Sequence, residues 1–530
     1  MSPSTRRLEA GFGKAQGTTL RRPFSAVFQL ARSAVFLLLL RVLAVPAAAE
    51  AQSIGERLEV GGYFRIMSRP DLQGGEGTLG FWNLYGRLLN EGPWAALELK
   101  LDLLEPHPED IWTSVHFKIE GGSVRGADIR GGRLDAFRLT QLYAQAGNVG
   151  APNLTWRVGT LDTWMGELGL YDMRPAQVFH ETVGVSAQVR HDKVDLMLGF
   201  GDSGFFVRGG EYSPILTTGG LVRVRPVRGL ELGGGGQVGH EPMVERGRHA
   251  PHTTPGIDYE DFARRRVVDA FVEENPGREE RFYQERAPQP TSATSWKLVG
   301  YLGFGGFGPL QWNNLFVNYK RRHPDNFYTE RFNDREYTIF VSGLTDDRYQ
   351  LNVGNEMVVT LVPGRLDAAW GALFGHHWDL DNDGVVVSEN DRTFYSTVFR
   401  LQAYLTNAVH LLAETSLARE QSHNGAMWRE HWDSKLESPP DTTPIEFGDT
   451  DRRDTWQIKA GPVLNPTGLG VWTRPSLRLL YGGQLSNVHD AFRTSVVQTQ
   501  EQFDKFPAPK GEGHSRHWHH VIALEAEAWF

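Results

Sequence analysis

Residues 521–530 read VIALEAEAWF, and apolar side chains occupy every second position of this stretch. Because successive side chains of a β-strand point to opposite faces, the alternation predicts a strand with one apolar face and one mixed face. Glu525, Glu527 and Trp529 belong to the mixed face. The apolar face consists of Ile522, Leu524, Ala526, Ala528 and Phe530.

The same alternation recurs in other segments of about ten residues, which is the length that a tilted strand needs to cross the hydrocarbon layer of a membrane. Residues 57–66 and 94–103 show it clearly, and residues 313–320 show it more weakly. A final strand that ends on an aromatic residue is typical of outer-membrane β-barrels. The edge strand of a secreted β-sandwich also alternates, so that soluble fold is the competing interpretation.

The chain begins with a segment typical of export signals. An apolar run at residues 34–40 follows Arg21, Arg22 and Arg32, and after an interruption at Arg41 it continues over residues 42–46. Ala49 and Ala51 fit the small-residue rule for cleavage before Gln52. We therefore predict a signal peptide at residues 1–51 and a folded barrel at residues 52–530. The long stretch before the apolar run suggests either a true start further downstream or a twin-arginine signal at Arg21 and Arg22.

Composition narrows the function classes. The net charge of −9 argues against a nucleic-acid partner, because binding a phosphate backbone requires clustered Lys and Arg. The chain has no cysteine, so an exported protein of this size must be held together by its hydrogen-bond ladder or by packing. We predict an all-β fold, namely a transmembrane antiparallel β-barrel in the outer membrane that is surrounded by the membrane lipid.

The segments between the predicted strands differ in length. Residues 90–93 look like a short turn, whereas residues 240–292 and 423–454 are long and polar. Outer-membrane barrels have short turns at one end and longer loops at the other. The pattern therefore predicts long outer loops.

Several aromatic residues fall on the mixed faces of the predicted strands. Tyr63 shares its face with Glu59 and Arg65, and Trp529 shares its face with two glutamates. Interfacial girdle aromatics would instead face lipid, so these rings are expected in the lumen. The apolar face of a sugar ring can stack on such aromatic rings, while charged and amide groups bind the hydroxyls. Packing against an inward-folded loop is the alternative interpretation.

Short motifs scattered over most of the predicted mature chain resemble the maltoporin or sugar-porin family. The motifs are Gly62-Tyr63-Phe64-Arg65, residues 85–91 (YGRLLNE), residues 97–101 (LELKL), Ala136-Phe137-Arg138 and residues 472–478 (WTRPSLR). The resemblance implies an 18-stranded trimeric barrel through which oligosaccharides diffuse passively along a lumen track of aromatic rings. It also implies a polar track at a constriction loop that folds inward between residues 160 and 183.

The resemblance implies a role for ten residues. Trp94 lies two positions before the aromatic residue that the family pattern expects, on the same face, and Trp164 or Met165 stands where the pattern expects a basic residue. The implied sugar-stacking residues are Tyr63, Trp94, Trp312, Trp472 and Trp529, and the implied polar-track residues are Arg65, Arg87, Arg138, Asp172 and Arg174.

Two further constellations could bind metals. Asp379, Asp381 and Asp383 precede Gly384 as in the first half of an EF-hand calcium loop, but Asn390 stands where the motif requires a bidentate Glu. We therefore weigh a calcium site in an outer loop against a solvated acidic loop, and expect no other cofactor. The histidines near the last strand are interpreted as loop residues rather than ligands. They are His514, His517, His519 and His520.

No Ser-His-Asp order, P-loop or paired-carboxylate motif stands out, so we do not expect an enzyme. The expected function is that of a passive sugar porin. The alternatives are a general diffusion porin without sugar selectivity and a secreted glycan-binding β-sandwich.

Overall fold

The computed structural model of the chain describes residues 57–69, 83–105, 110–121, 138–179, 182–203, 215–244, 291–321, 327–332, 335–340, 348–379, 392–422, 452–486 and 518–530. The predicted signal peptide lies outside these ranges and stays a prediction. Within the described ranges, no helix has the length and apolar character that crossing a membrane requires.

The described residues form β-strands and one short 3₁₀ helix, Asn83–Tyr85. The strands are β1 Leu58–Ser68, β2 Trp94–Leu104, β3 Trp112–Gly121, β4 Arg138–Gly147, β5 Leu154–Thr160, β6 Thr163–Trp164, β7 Gln177–Phe179, β8 Val183–Arg190, β9 Val194–Asp202, β10 Leu216–Val227, β11 Leu230–Val244, β12 Thr291–Phe304, β13 Leu310–Arg321, β14 Phe327–Phe332, β15 Arg335–Phe340, β16 Arg348–Val362, β17 Leu366–Asp379, β18 Arg392–Tyr404, β19 Val409–Ser422, β20 Arg452–Leu464, β21 Ser476–Ser486 and β22 Trp518–Trp529.

Eighteen of these strands form one closed antiparallel barrel, which confirms the predicted fold class. The sheet closes because β1 pairs with β2 on one side and with β22 on the other, with Tyr63 opposite Trp529. Closure leaves no unpaired edge, as a membrane-spanning sheet requires. The β-sandwich interpretation was therefore wrong. The remaining strands form two small hairpins, β6 with β7 and β14 with β15.

The two faces of β22 lie as the alternation predicted. Leu524 is 48% exposed on the outside of the barrel, whereas Glu525 and Glu527 are 2% and 1% exposed on the inside. The outward faces of the other strands are likewise apolar, with exposed residues such as Leu196, Val317 and Phe399. An apolar exterior around a closed barrel is the surface that a lipid bilayer covers, so the protein spans the outer membrane.

Aromatic rings mark one end of this exterior. Tyr319 packs against Trp296, with ring centroids 5.1 Å apart, and against Tyr349 and Trp378 at 6.3 and 6.4 Å. These residues lie near the strand ends opposite the end at which β1 begins. Such a belt is typical of the level at which a barrel leaves the hydrocarbon layer.

The connections also differ between the two ends. At the end where β1 begins, residues 228–229 join β10 to β11 and residues 363–365 join β16 to β17. At the opposite end, the connections include residues 161–182 and 245–290. The predicted asymmetry between short turns and long loops is confirmed.

Residues 161–179 fold into the barrel, as predicted for the constriction loop. Leu168, Leu170 and Tyr171 are fully buried against the inner wall. The wall residues at these contacts include glycines, which have no side chain. A Cβ added to Gly354 would meet Leu168 at 2.6 Å, and one added to Gly371 would meet Tyr171 at 2.7 Å. The loop side chains therefore occupy space on the inner wall that is free only because these two positions are glycine.

Residues 83–93 also fold inward, which corrects the interpretation of residues 90–93 as a simple turn. Leu88 and Leu89 are buried with apolar residues of β19 to β22 in a cluster inside the barrel. The Tyr85 hydroxyl donates to Glu420 at 2.5 Å, and Lys459 Nζ donates to the Tyr85 carbonyl at 2.9 Å. The backbone N–H of Arg87 donates to Leu170 O at 2.8 Å, so the two inward segments are joined.

Candidate functional site

A cavity of about 910 Å³ lies in the lumen beside the two inward segments. All five predicted stacking residues line it, although they come from distant parts of the chain. A cavity of this volume is large enough for a small oligosaccharide. The five residues are Tyr63, Trp94, Trp312, Trp472 and Trp529.

Tyr63 and Trp529 are neighbours across the closing seam of the barrel. Their ring centroids are 6.3 Å apart, with an angle of 44° between the ring planes. The Tyr63 hydroxyl donates to Glu527 at 2.9 Å, which fixes that ring in place. Trp529 is 56% exposed, so its ring is accessible to a solute in the lumen.

The other three rings reach the cavity from separate elements. Trp472 lies on the connection between β20 and β21 and packs where Gly169 leaves room, since a Cβ there would meet its ring at 3.2 Å. The guanidinium of Arg400 lies 5.2 Å from the Trp472 ring centroid. Trp312, near the start of β13, donates from Nε1 to Asn314, and Trp94 begins β2.

The predicted polar-track residues divide into three groups. Arg87, Asp172 and Arg174 line the cavity. Arg65 does not line it; this side chain is buried, forms an ion pair with Glu91 and donates to Gly92 O at 2.9 Å. Arg138 begins β4, and its side chain is outside the described part of the structure, so its role stays a prediction.

Behind the Tyr63 and Trp529 rings lies a buried network of arginines and glutamates. Glu527 forms ion pairs with Arg87 at 2.7 Å, Arg474 at 2.7 Å and Arg478 at 2.8 Å. Charge-assisted bonds of this kind, shielded from water, hold side chains in a fixed geometry. The network therefore orients the Tyr63 ring at the edge of the cavity.

We expect Glu527→Gln to destabilise the barrel by about 3–5 kcal/mol, because three buried guanidiniums lose their shared carboxylate. The urea midpoint for unfolding of the refolded protein in lipid vesicles measures this. The matched control is Glu59→Gln, whose carboxylate pairs with Lys100 at 2.7 Å but is 66% exposed. An exposed pair contributes about 0–1 kcal/mol, so equal midpoints for both variants would contradict the assigned role of Glu527.

Sequence reasoning did not select several charged residues of the cavity as site residues. Glu98, Lys118 and Glu120 form one wall, with Lys118 Nζ 3.1 Å from each carboxylate. Glu98 shares the alternating face of Trp94, so strand alternation could have identified it. Glu167 and Arg474 lie outside the barrel strands, where alternation gives no signal.

The possible calcium site is mostly outside the described residues. Asp379 ends β17 and its side chain is not described, and neither Asp381 nor Asp383 falls within the described ranges. Among the side chains that are described, none form a cluster of three potential metal ligands. The calcium hypothesis stays a prediction.

No protein-family model matches the chain, and no curated protein matches it. Several solved structures do match it in fold. The outer-membrane channel DcaP of Acinetobacter baumannii is 9% identical, with 69% of this chain and 91% of that chain covered and a TM-score of 0.42. The outer-membrane protein OprD of Pseudomonas aeruginosa is 8% identical, with 91% and 95% covered and a TM-score of 0.38.

The outer-membrane protein OmpT of Vibrio cholerae, in a trimer form, is 8% identical, with 89% of this chain and 99% of that chain covered and a TM-score of 0.33. All three are outer-membrane proteins by name. At these identities and scores the likeness carries no argument about substrate or assembly. The resemblance to maltoporins receives no support from these comparisons.

Proposed function

We propose that this protein is a passive outer-membrane porin through which sugars diffuse past the aromatic residues that line the lumen cavity. The observation that carries the proposal is the convergence of five aromatic residues on one cavity that charged and amide side chains also line. The aromatic faces stack on the apolar faces of sugar rings, and the polar side chains bind the hydroxyls. This role requires no catalytic group and no energy source.

Weak and similar binding sites suit transport better than one strong site. Stacking of about 1 kcal/mol per ring allows a sugar to move between neighbouring rings without being trapped. A dissociation constant between about 0.1 and 1 mM still keeps exit from the channel fast. Malto-oligosaccharides, the class that the sequence resemblance implies, are the first solutes to test. Assembly as a trimer belongs to the same proposal.

Liposome swelling tests the sugar preference. Vesicles that contain the protein should swell faster in maltose and maltotriose than in polyethylene glycol of equal mass, because polyethylene glycol has no ring face to stack. Rates that depend on solute size alone would refute sugar preference and indicate a general diffusion porin.

We also expect the exported protein to fractionate with the outer membrane. The unheated protein should migrate faster in SDS gels than the boiled protein, because the closed barrel keeps its hydrogen-bond ladder in detergent. Gel migration before and after boiling measures this. Recovery as a soluble protein, with no shift on boiling, would contradict the assignment.

A further inference from the structure

The accessible charge of the lumen cavity is acidic. Among the residues that the structure describes, five carboxylates and four cationic side chains line the cavity. The carboxylates and the cationic side chains are nearly equal in number, but they differ in exposure. The carboxylates are Glu98, Glu120, Glu167, Asp172 and Glu356, and the cationic residues are Arg87, Lys118, Arg174 and Arg474.

The cationic groups are mostly neutralised at short range. The Arg474 and Arg87 side chains are 3% and 10% exposed and share Glu527, which lies behind the cavity wall. The Lys118 side chain is 16% exposed and lies between Glu98 and Glu120. Lys118 therefore offsets only one of its two carboxylates, and the field of Arg87 and Arg474 is offset largely by Glu527 and by Glu91, which lies 3.4 Å from Arg87.

Three of the five carboxylates are more accessible, whereas Glu120 is 20% exposed and Glu356 is buried. The side chain of Glu98 is 56% exposed and that of Glu167 is 55% exposed, and Asp172 is also exposed. Arg174, at 42%, is the most exposed cationic group of the cavity, and it lies 3.6 Å from Glu167. Three accessible carboxylates therefore face one accessible guanidinium.

We propose that this cavity is cation-selective and that it passes neutral and amino-bearing sugars while it excludes acidic ones. The selection of sugars rests on the proposed sugar function, whereas the selection of ions does not. A narrow lumen with low-dielectric walls concentrates the field of fixed charges, so an anionic solute is repelled before it reaches the aromatic rings. A sugar with an ammonium group gains from the same field.

Two measurements on reconstituted single channels test this inference. The first is the reversal potential in a KCl gradient at about 0.1 M ionic strength, where we expect the channel to prefer K⁺ over Cl⁻ by about threefold or more. The preference should shrink in about 1 M salt, where the Debye length falls to about 3 Å. A channel that prefers Cl⁻, or that has no preference at low salt, overturns the proposal.

The second measurement compares block by maltotriose, chitosan trimer and galacturonate trimer, which are neutral, cationic and anionic. We expect block by the first two and at least tenfold weaker block by the third. Equal block by all three overturns the inference and leaves the sugar function standing. If maltotriose does not block a channel that is cation-selective, the proposed sugar function is refuted and the charge selectivity stands.

Variants locate the responsible groups. The combination of Glu98→Gln, Glu167→Gln and Asp172→Asn should abolish the K⁺ preference and strengthen block by galacturonate trimer. Asn is suited to position 172, because this residue has a φ of 50° and Asn tolerates the left-handed region. Glu59→Gln, which changes a lumen carboxylate that does not line the cavity, should keep the preference. If the triple variant and Glu59→Gln lose the K⁺ preference equally, the assignment of the selectivity to this cavity is overturned.

Discussion

Trp472→Ala should weaken block of the channel by malto-oligosaccharides about fivefold, which corresponds to the loss of about 1 kcal/mol of ring stacking. The Trp472 ring is half-buried and lines the cavity, and it is held on the connection between β20 and β21 rather than in the barrel wall. Its removal should therefore leave the strand ladder intact. The half-blocking sugar concentration in single-channel recordings measures the effect.

Two comparisons make the Trp472 result specific. Trp472→Phe keeps an aromatic face and should retain most of the block. Trp456→Ala removes a tryptophan from the outer face of β20, where Trp456 is 36% exposed and donates to Thr415 at 2.8 Å. The half-blocking sugar concentration of this control should equal that of the wild type. Unchanged block in Trp472→Ala, with normal folding, would remove Trp472 from the sugar path.

The double substitution Gly354→Leu and Gly371→Leu should displace the inward loop and raise the ionic conductance about twofold or more. An added side chain at these positions meets Leu168, Leu170 and Tyr171 of the loop, with Leu373 as the nearest wall contact. Overpacking of this kind costs about 1–3 kcal/mol per site, and displacement of the loop relieves it. Single-channel conductance in concentrated KCl measures the open area.

Gly300→Leu is the matched control for this experiment, because a Cβ at Gly300 would meet nothing within 4 Å. Its conductance should equal that of the wild type. A double variant that folds with unchanged conductance would show that residues 161–179 do not limit the pore. Heat modifiability of each variant separates a displaced loop from a barrel that has failed to fold.

The sequence predicted the barrel well because alternation reports directly on the two solvents that a strand faces. Leu524 and Glu525 are adjacent in the chain, yet lipid surrounds one and the lumen surrounds the other. The rings on β1, β2, β13 and β22 could be assigned to the lumen in the same way. No comparable rule covers Trp472, which lies outside the strands and whose role as a stacking residue was implied only by a resemblance in sequence.

The second inward segment could not be predicted because its burial depends on distant residues. Leu88 and Leu89 read like an ordinary apolar pair before a turn, and their partners lie on β19 to β22, several hundred residues later. The same limit applies to Arg65. Its alternating face indicated the lumen, but its pairing with Glu91 depends on how residues 83–93 fold.

The central claim is that sugars bind to the aromatic residues that line the lumen cavity, and single-channel current through the wild-type protein tests it most directly. Added maltohexaose should reduce the time-averaged conductance in a saturable manner, with half of the maximal block at about 1 mM or below, equivalent to about −4 kcal/mol of binding free energy. Conductance that stays constant up to high millimolar concentrations of maltohexaose and of sucrose would contradict the claim.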